Sequence, residues 1–472
     1  MSHNSLVYTK FVRSVQKRIS FPPLRIHVIL THTHTLQAHK AKDVLPKRLR
    51  GWYKTVMFNP ILARYRIYMP AVHRALIFAT LLVLLAGISS FFRLNSSGPG
   101  TLDFIQYWSA WQLLRQGSNP YDAEQLAHIQ VAITHIPDQL IFSWNPPWTF
   151  VALSPLLSLP FEQSAAVWLA IQIGVLCIVS TTLPHGLGQR KPPLLMAAAT
   201  TALFFPILNS FQWGQLSVLF ALSITLFLYF QRVGALFLAG VSLLPLSFKP
   251  HLFLLFIIPG LLWLRQLTMR DRTRLLAGML GSFTLLISIC ITLRPSVCAD
   301  WITALSTKDL KSQAVQISDW QTATLVTWIR IVIADWTGVL VNWPLWFVPL
   351  LGIAACIFLC WRQRNKIEWE TLAPPLLCLS LGTCNYGWVY DQSVLVVCQM
   401  TLVCDLYRHK IRSDVFTRTA ILVIIQVIGI SGSILYDLPQ HYYAWVPWVY
   451  LILLWNTPGR RKGNRRNRAV RY

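Results

Sequence analysis

Four polar segments interrupt an otherwise apolar chain, and they hold residue types that acid–base and phosphate chemistry require. The first runs Thr101-Leu102-Asp103-Phe104-Ile105-Gln106-Tyr107-Trp108 and continues to Gly117-Ser118-Asn119-Pro120-Tyr121-Asp122. The others are Trp144-Asn145-Pro146-Pro147, Gln212-Trp213-Gly214-Gln215 and Phe248-Lys249-Pro250-His251, with Tyr390-Asp391 further on. A carboxylate within hydrogen-bond reach of an attacking hydroxyl can take its proton. Asp103 is placed to do so, and it is also a candidate N-cap for the apolar helix that follows. An ammonium can hold a departing phosphate in a low-dielectric site. Lys249 is such a group, or a snorkelling lysine at a helix end. Gln215 can hydrogen-bond a sugar hydroxyl, or Gly214-Gln215 can be a packing device between close helices. His251 adds a donor or rests at the membrane interface. Asn119-Pro120-Tyr121 is a turn sequence that Asp122 would order. Asp391 either binds a substrate or caps a helix. Trp108, Trp111, Trp144, Trp148 and Trp213 can stack on sugars or anchor at the headgroup level.

The elements that must position these residues are membrane helices. Of 472 residues, 54% are apolar, only 12% are charged and 20 are tryptophan, with a mean hydropathy of +0.48. Soluble proteins carry roughly 25% charged residues, so lipid is the expected solvent. Apolar runs cover 75–92, 146–183, 193–209, 215–230, 234–249, 250–264, 274–293, 344–361, 371–383, 389–407, 417–436 and 443–457. A helix needs about 20 apolar residues to cross. Residues 146–183 are too long for one helix, and Pro146, Pro147, Pro155 and Pro160 predict a broken, interfacial stretch before a span at 161–183. Residues 321–336 read as an amphipathic helix on the outer face.

The net charge of +25 is concentrated at the ends. Fourteen Lys or Arg precede residue 75, and seven lie between Arg460 and Arg471. Basic flanks stay on the cytoplasmic side, and the alternate loops at Arg190-Lys191, Arg232, 265–274, 362–366 and 408–412 are basic as well. The opposite loops hold Asp103, Asp122, Glu124, Asp138, Asp300, Asp309, Asp319, Asp391 and Asp437. The count closes at about twelve spans with both termini inside. Nucleic-acid binding is set aside, because the basic residues flank spans and form no recognition module. Residues 1–74 lack the apolar core of a signal peptide, and Met57 or Met69 could be the true start. Their His27, His32, His34 and His39 form no closed metal set. None of the nine cysteines forms a CxxC pair; Cys298 and Cys384 would both lie near the outer face, where a disulfide could join them.

This threading puts all four chemistry-bearing segments on one side. An acid, a lysine, amides and aromatics on a common face are what phosphate-linked sugar chemistry requires. The segments resemble glycosyltransferase family 87, the polyprenyl-phosphate-mannose-dependent α-mannosyltransferases of the GT-C fold. The resemblance rests on Asp103 after the first span, Gly117 to Asp122, Pro146-Pro147, Gly214-Gln215, Lys249-Pro250 and Tyr390-Asp391, in that order over roughly 75–400. Trp144-Asn145 departs from the Tyr-Pro the family more often shows. The resemblance implies an all-α integral membrane protein, a GT-C-type multi-span helical bundle with about twelve transmembrane helices and outer-face interfacial helices. The charge pattern predicts basic cytoplasmic tails at 1–74 and 458–472, to which the family offers no counterpart, and the resemblance implies a glycosyltransferase domain at 75–457. The expected reaction moves a hexose, mannose first, from a polyprenyl-phosphate donor to a glycan or glycolipid acceptor on the extracytoplasmic face, with inversion. Asp103 is the expected base; Lys249, Gln215, Tyr107, Asn119, Tyr121, Asp122, His251 and Asp391 are the expected substrate-binding residues. No Asp-x-Asp motif or nucleotide-binding unit occurs, and no metal or cofactor is expected. A transporter of lipid-linked saccharides is the alternative, although no inverted repeat is evident. A catalytically inactive membrane scaffold is a further one.

Overall fold

The computed structural model describes residues 103–135, 140–306, 322–363, 365–408, 412–435 and 438–455. The expected first span at 75–92, both basic tails, and Asp138, Asp309, Asp319 and Asp437 lie outside the described residues. Every regular element among the described residues is helical.

Two helices precede the long apolar ones: α1 (Phe104–Leu114) and α2 (Ala123–Thr134). Asp122 caps α2, its carboxylate accepting from the amides of Glu124 and Gln125. Gln130 then clamps the returning strand of chain: its Nε2 donates to the Ile141 carbonyl at 2.9 Å and its Oε1 accepts from the Ile141 amide at 2.8 Å. The proline-rich stretch forms short helices, α3 (Pro147–Ala152) and α4 (Ser154–Leu157), before the long α5 (Phe161–Gly186). Pro146 and Pro160 stand at their N-caps, where the missing amide costs nothing.

Next come α6 (Leu194–Ala202) and α7 (Phe205–Trp213), one apolar run bent by 57° at Leu203-Phe204. Pro206 in the first turn of α7 forbids continuity. Then follow α8 (Ser217–Arg232), α9 (Leu236–Ser242), two 3-10 turns (Leu244–Phe248 and Pro250–Phe256) and α10 (Ile257–Gln266). The remainder is α11 (Met269–Leu293), α12 (Val297–Ser306), α13 (Leu325–Thr337), α14 (Pro344–Arg362) and α15 (Trp369–Thr383). A 3-10 turn (Val389–Leu395) leads into α16 (Val396–Arg408), followed by α17 (Arg412–Ile430) and α18 (Val446–Trp455). The outer-face helix expected at 321–336 corresponds to α13.

Four helices among the described residues are long and apolar enough to cross a bilayer: Phe161–Gly186, Met269–Leu293, Pro344–Arg362 and Val389–Arg408; the bent pair makes five. Among the described residues, further expected spans appear as shorter helices such as Ser217–Arg232 and Thr417–Ser433, or as helices joined to 3-10 turns. Hydropathy counts apolar residues, whereas prolines such as Pro245 and Pro250 divide those residues into pieces. The outward faces of α5, α11 and α14 expose Ile173, Leu285, Leu350 and Ile357, as befits a protein solvated by lipid.

Close helix approach depends on small residues. A Cβ on Gly240 would collide with the Leu275 carbonyl, and one on Gly278 with the Phe237 carbonyl, so α9 and α11 cross with their backbones in contact. At the bend, the freed backbone groups are met by glutamines from distant helices. Gln426 Oε1 accepts from the Phe205 amide at 3.0 Å, and Gln399 Nε2 donates to the Thr200 carbonyl at 2.8 Å. Gln426 donates to Gln399 at 2.8 Å, and the Tyr450 hydroxyl donates to Gln399 as well. None of the nine cysteines, Cys298 and Cys384 included, is joined in a disulfide.

Candidate functional site

Asp103 stands at the start of α1, but its carboxylate makes no capping bond. It instead accepts from Gln215 Nε2 at 2.5 Å. Gln215 Oε1 accepts from the Tyr107 hydroxyl at 2.9 Å, one turn further along α1. The capping reading of Asp103 therefore fails, and its carboxylate is tied to a segment 112 residues away. Gly214 makes this possible. It closes α7 in the left-handed region at φ 66°, which glycine adopts without a Cβ penalty. Trp168 Nε1 donates to its carbonyl at 2.9 Å and fixes the turn.

Two residues after Gln215, the Ser217 hydroxyl donates to Asp391 Oδ1 at 2.8 Å. Lys249 Nζ donates to the same oxygen at 2.8 Å, and the Trp388 amide donates to Oδ2 at 3.0 Å. Asp391 is wholly buried and Lys249 is 9% exposed. The ammonium thus turns inward to a carboxylate and does not snorkel. It also lies 4.8 Å from the centre of the Tyr390 ring. Pairing and hydrogen bonds are what let two charges occupy a buried site.

Lys249 lies between two 3-10 turns, and the corner is braced from around the second polar segment, itself held by the first. Asn145 Nδ2 donates to the Phe248 carbonyl at 3.0 Å, and the Tyr121 hydroxyl donates to the Asn145 carbonyl at 2.8 Å. Trp148 Nε1 donates to Ser247 Oγ at 3.0 Å. Asn119 Oδ1 accepts from the Tyr121 amide at 3.0 Å, closing the turn. Asn119, Tyr121 and Asp122 hence appear as a brace and a helix cap, whereas Asp103, Tyr107, Gln215, Lys249 and Asp391 converge.

Electrostatics ties the two halves together. Burial raises the Asp103 carboxyl to about 6; the Gln215 hydrogen bond and Lys249 pull it down, and Asp391 pushes it up. A carboxyl near 6 is ionised at neutral pH yet basic enough to accept a proton. Burial also holds the Tyr386 phenol above its usual range, with Asp391 and Asp103 adding to the rise. Asp103, Lys249, Asp391 and Tyr386 therefore share one electrostatic environment.

His251 adjoins this cluster, with its ring 5.7 Å from that of Tyr386 and its Nε2 buried without a hydrogen-bond partner. Several tryptophans expected to stack on sugars are struts. Trp108 Nε1 donates to the Leu159 carbonyl at 2.9 Å, and Trp111 Nε1 to Ser158 Oγ at 3.1 Å. Sequence reasoning missed Ser217 as a site-forming residue, and it quoted Asn145 within a polar segment without giving it a role. Their positions beside Gln215 and Pro146 were the available signal. It also missed Tyr386 and Trp388, which carry no motif.

The family model of glycosyltransferase family 87 matches residues 143–382. That stretch contains Gln215, Ser217 and Lys249, whereas Asp103 and Asp391 flank it. No curated protein and no solved structure matches the chain.

Proposed function

The chain belongs to glycosyltransferase family 87 and is a glycosyltransferase, and we propose that it moves a hexose, mannose first, from a polyprenyl-phosphate donor to an acceptor hydroxyl. The reading rests on one observation: an ionisable carboxylate, Asp103, and a buried ammonium, Lys249, belong to one cluster linked through Gln215-Leu216-Ser217. Sugar transfer from a phosphate carrier needs both. The acceptor hydroxyl loses its proton to Asp103 as its oxygen forms a bond to the anomeric carbon. The bond from that carbon to the phosphate oxygen breaks, and the departing anion gains charge that Lys249 is placed to offset. A single displacement inverts the anomeric configuration. Asp391 keeps Lys249 aimed, while Gln215 and Tyr107 orient Asp103.

In this reading the acceptor is a glycan or glycolipid. Residues 75–457 form one catalytic domain of the cell membrane, both basic tails lie on the cytoplasmic side, and the cluster faces the other. A carrier-linked donor fits a site on that side.

Reconstituted protein supplied with labelled polyprenyl-phosphate mannose and a lipid extract tests this directly. Label should enter a product without added nucleotide sugar. Failure of every polyprenyl-phosphate hexose to transfer label, with activated nucleotide sugars succeeding, would overturn the donor assignment.

A further inference from the structure

Aromatic rings at a membrane surface usually face lipid, and this chain exposes many that do: Trp336 is 89% exposed and Trp346 60%. Those of the loop between α15 and the Val389–Leu395 turn behave differently. Tyr386 and Trp388 are mostly buried. Trp388 Nε1 donates to the Tyr386 hydroxyl at 2.5 Å, and the two rings meet edge to face at 6.0 Å. The Trp388 ring also stacks on Tyr390 at 6.1 Å and 22°, and Tyr390 lies beneath the Lys249 ammonium. At the other end of the row, His251 contacts Tyr386. The row therefore runs His251–Tyr386–Trp388–Tyr390–Lys249. It is locked by hydrogen bonds and stacking, and it ends on the cation assigned to the leaving group.

Two features mark this row as built to hold a ligand. Its rings are fixed before anything binds, so stacking on them costs little ordering entropy. Its one buried polar atom without a partner is His251 Nε2, beside Tyr386. Buried polar atoms are normally satisfied, and an orphan beside an aromatic surface suits a hydroxyl-bearing ring. A pyranose has an apolar C–H face for an aromatic and equatorial hydroxyls for a hydrogen bond.

We infer that Tyr386 and Trp388 form the platform on which the hexose ring lies, with His251 Nε2 bonding one of its hydroxyls. This deepens the proposed function and rests on it for the identity of the sugar as the group transferred. The phosphate end is held by Lys249, so the platform contributes to sugar recognition and not to phosphate recognition.

The test uses the full-length protein in detergent and two probes: an alkyl α-mannoside, and polyprenyl phosphate without sugar. Binding of each is followed by saturation-transfer NMR for wild type, Trp388→Leu, Trp388→Phe and His251→Ala. Trp388→Leu should weaken the mannoside about five- to tenfold, the range expected for one lost aromatic contact. Trp388→Phe should restore most of that loss, His251→Ala should weaken the mannoside about threefold or more, and no variant should change polyprenyl-phosphate binding. Unaltered mannoside binding in Trp388→Leu overturns the platform, as does an equal loss for both probes. Transfer by the wild type is measured separately. A protein that binds mannoside through Trp388 but transfers no carrier-linked sugar would sink the proposed reaction and leave the platform standing.

Discussion

The segment Val389–Arg408 and the helix Met269–Leu293 both pass as membrane spans, yet 94% of the first window is buried inside the protein and only 17% of the second. The inner segment carries Asp391, Gln392, Ser393, Gln399, Thr401 and Asp405, all buried. The outer helix turns Leu280, Leu285, Ile289 and Ile291 outward. Lipid offers a polar group nothing, whereas a surrounding ring of helices offers partners. Polar side chains therefore concentrate on the element farthest from lipid, and that element begins at the carboxylate that holds Lys249.

The largest expected effect comes from the acid in the cluster. Asp103→Asn should lower transfer by roughly 10²–10⁴-fold, the usual contribution of a general base. Its stability should move the opposite way. The folded carboxyl keeps its proton up to about 6, above the ordinary 3.8, so ionising it costs stability as the pH rises through that interval. The variant should therefore melt no lower than wild type above pH 6, as thermal unfolding in detergent can check.

Breaking the inner ion pair comes next. Lys249→Met strands a buried carboxylate and should cost roughly 3–5 kcal/mol. Adding Asp391→Asn should restore much of that stability but none of the transfer. If the double variant is as active as wild type, the ammonium has no part in the reaction.

A third test moves to the outer helix. Gly278→Val should destabilise by about 1–3 kcal/mol through backbone collision, whereas Leu285→Ala on the same helix should cost under about 1 kcal/mol. The same order measured by unfolding would confirm that outward positions meet lipid.

The smallest effect sharpens the site itself. Transfer should fall as the pH drops through about 6, because the protonated carboxyl cannot act as base. Removing the Gln215 hydrogen bond removes a stabiliser of the anion, so Gln215→Leu should shift that acidic limb upward. A limb that stays put would detach Gln215 from the titrating group.

Much of this was legible because polar residues stand out in apolar sequence. Asp103, Gln215, Lys249 and Asp391 were each visible as candidates, and the turn at Asn119-Pro120-Tyr121 and the proline break before α5 follow from local backbone rules. Partnership was not legible. Lys249 and Asp391 are 142 residues apart, and no local pattern distinguishes a snorkelling lysine from one turned inward. Tyr386 and Trp388 stand in no sequence motif, and only the fold brings out their mutual hydrogen bond. The number of spans was less legible for a related reason: composition reports how much chain is apolar, and bends and 3-10 turns decide how far each apolar run reaches.

The bend between α6 and α7 also orders events during synthesis. Its amide at Phe205 waits for Gln426, translated 221 residues later, and its carbonyl at Thr200 waits for Gln399. Until those helices have left the ribosome and entered the bilayer, the kink has unmatched peptide groups. The early half of the chain is thus dependent on its late half to complete this corner.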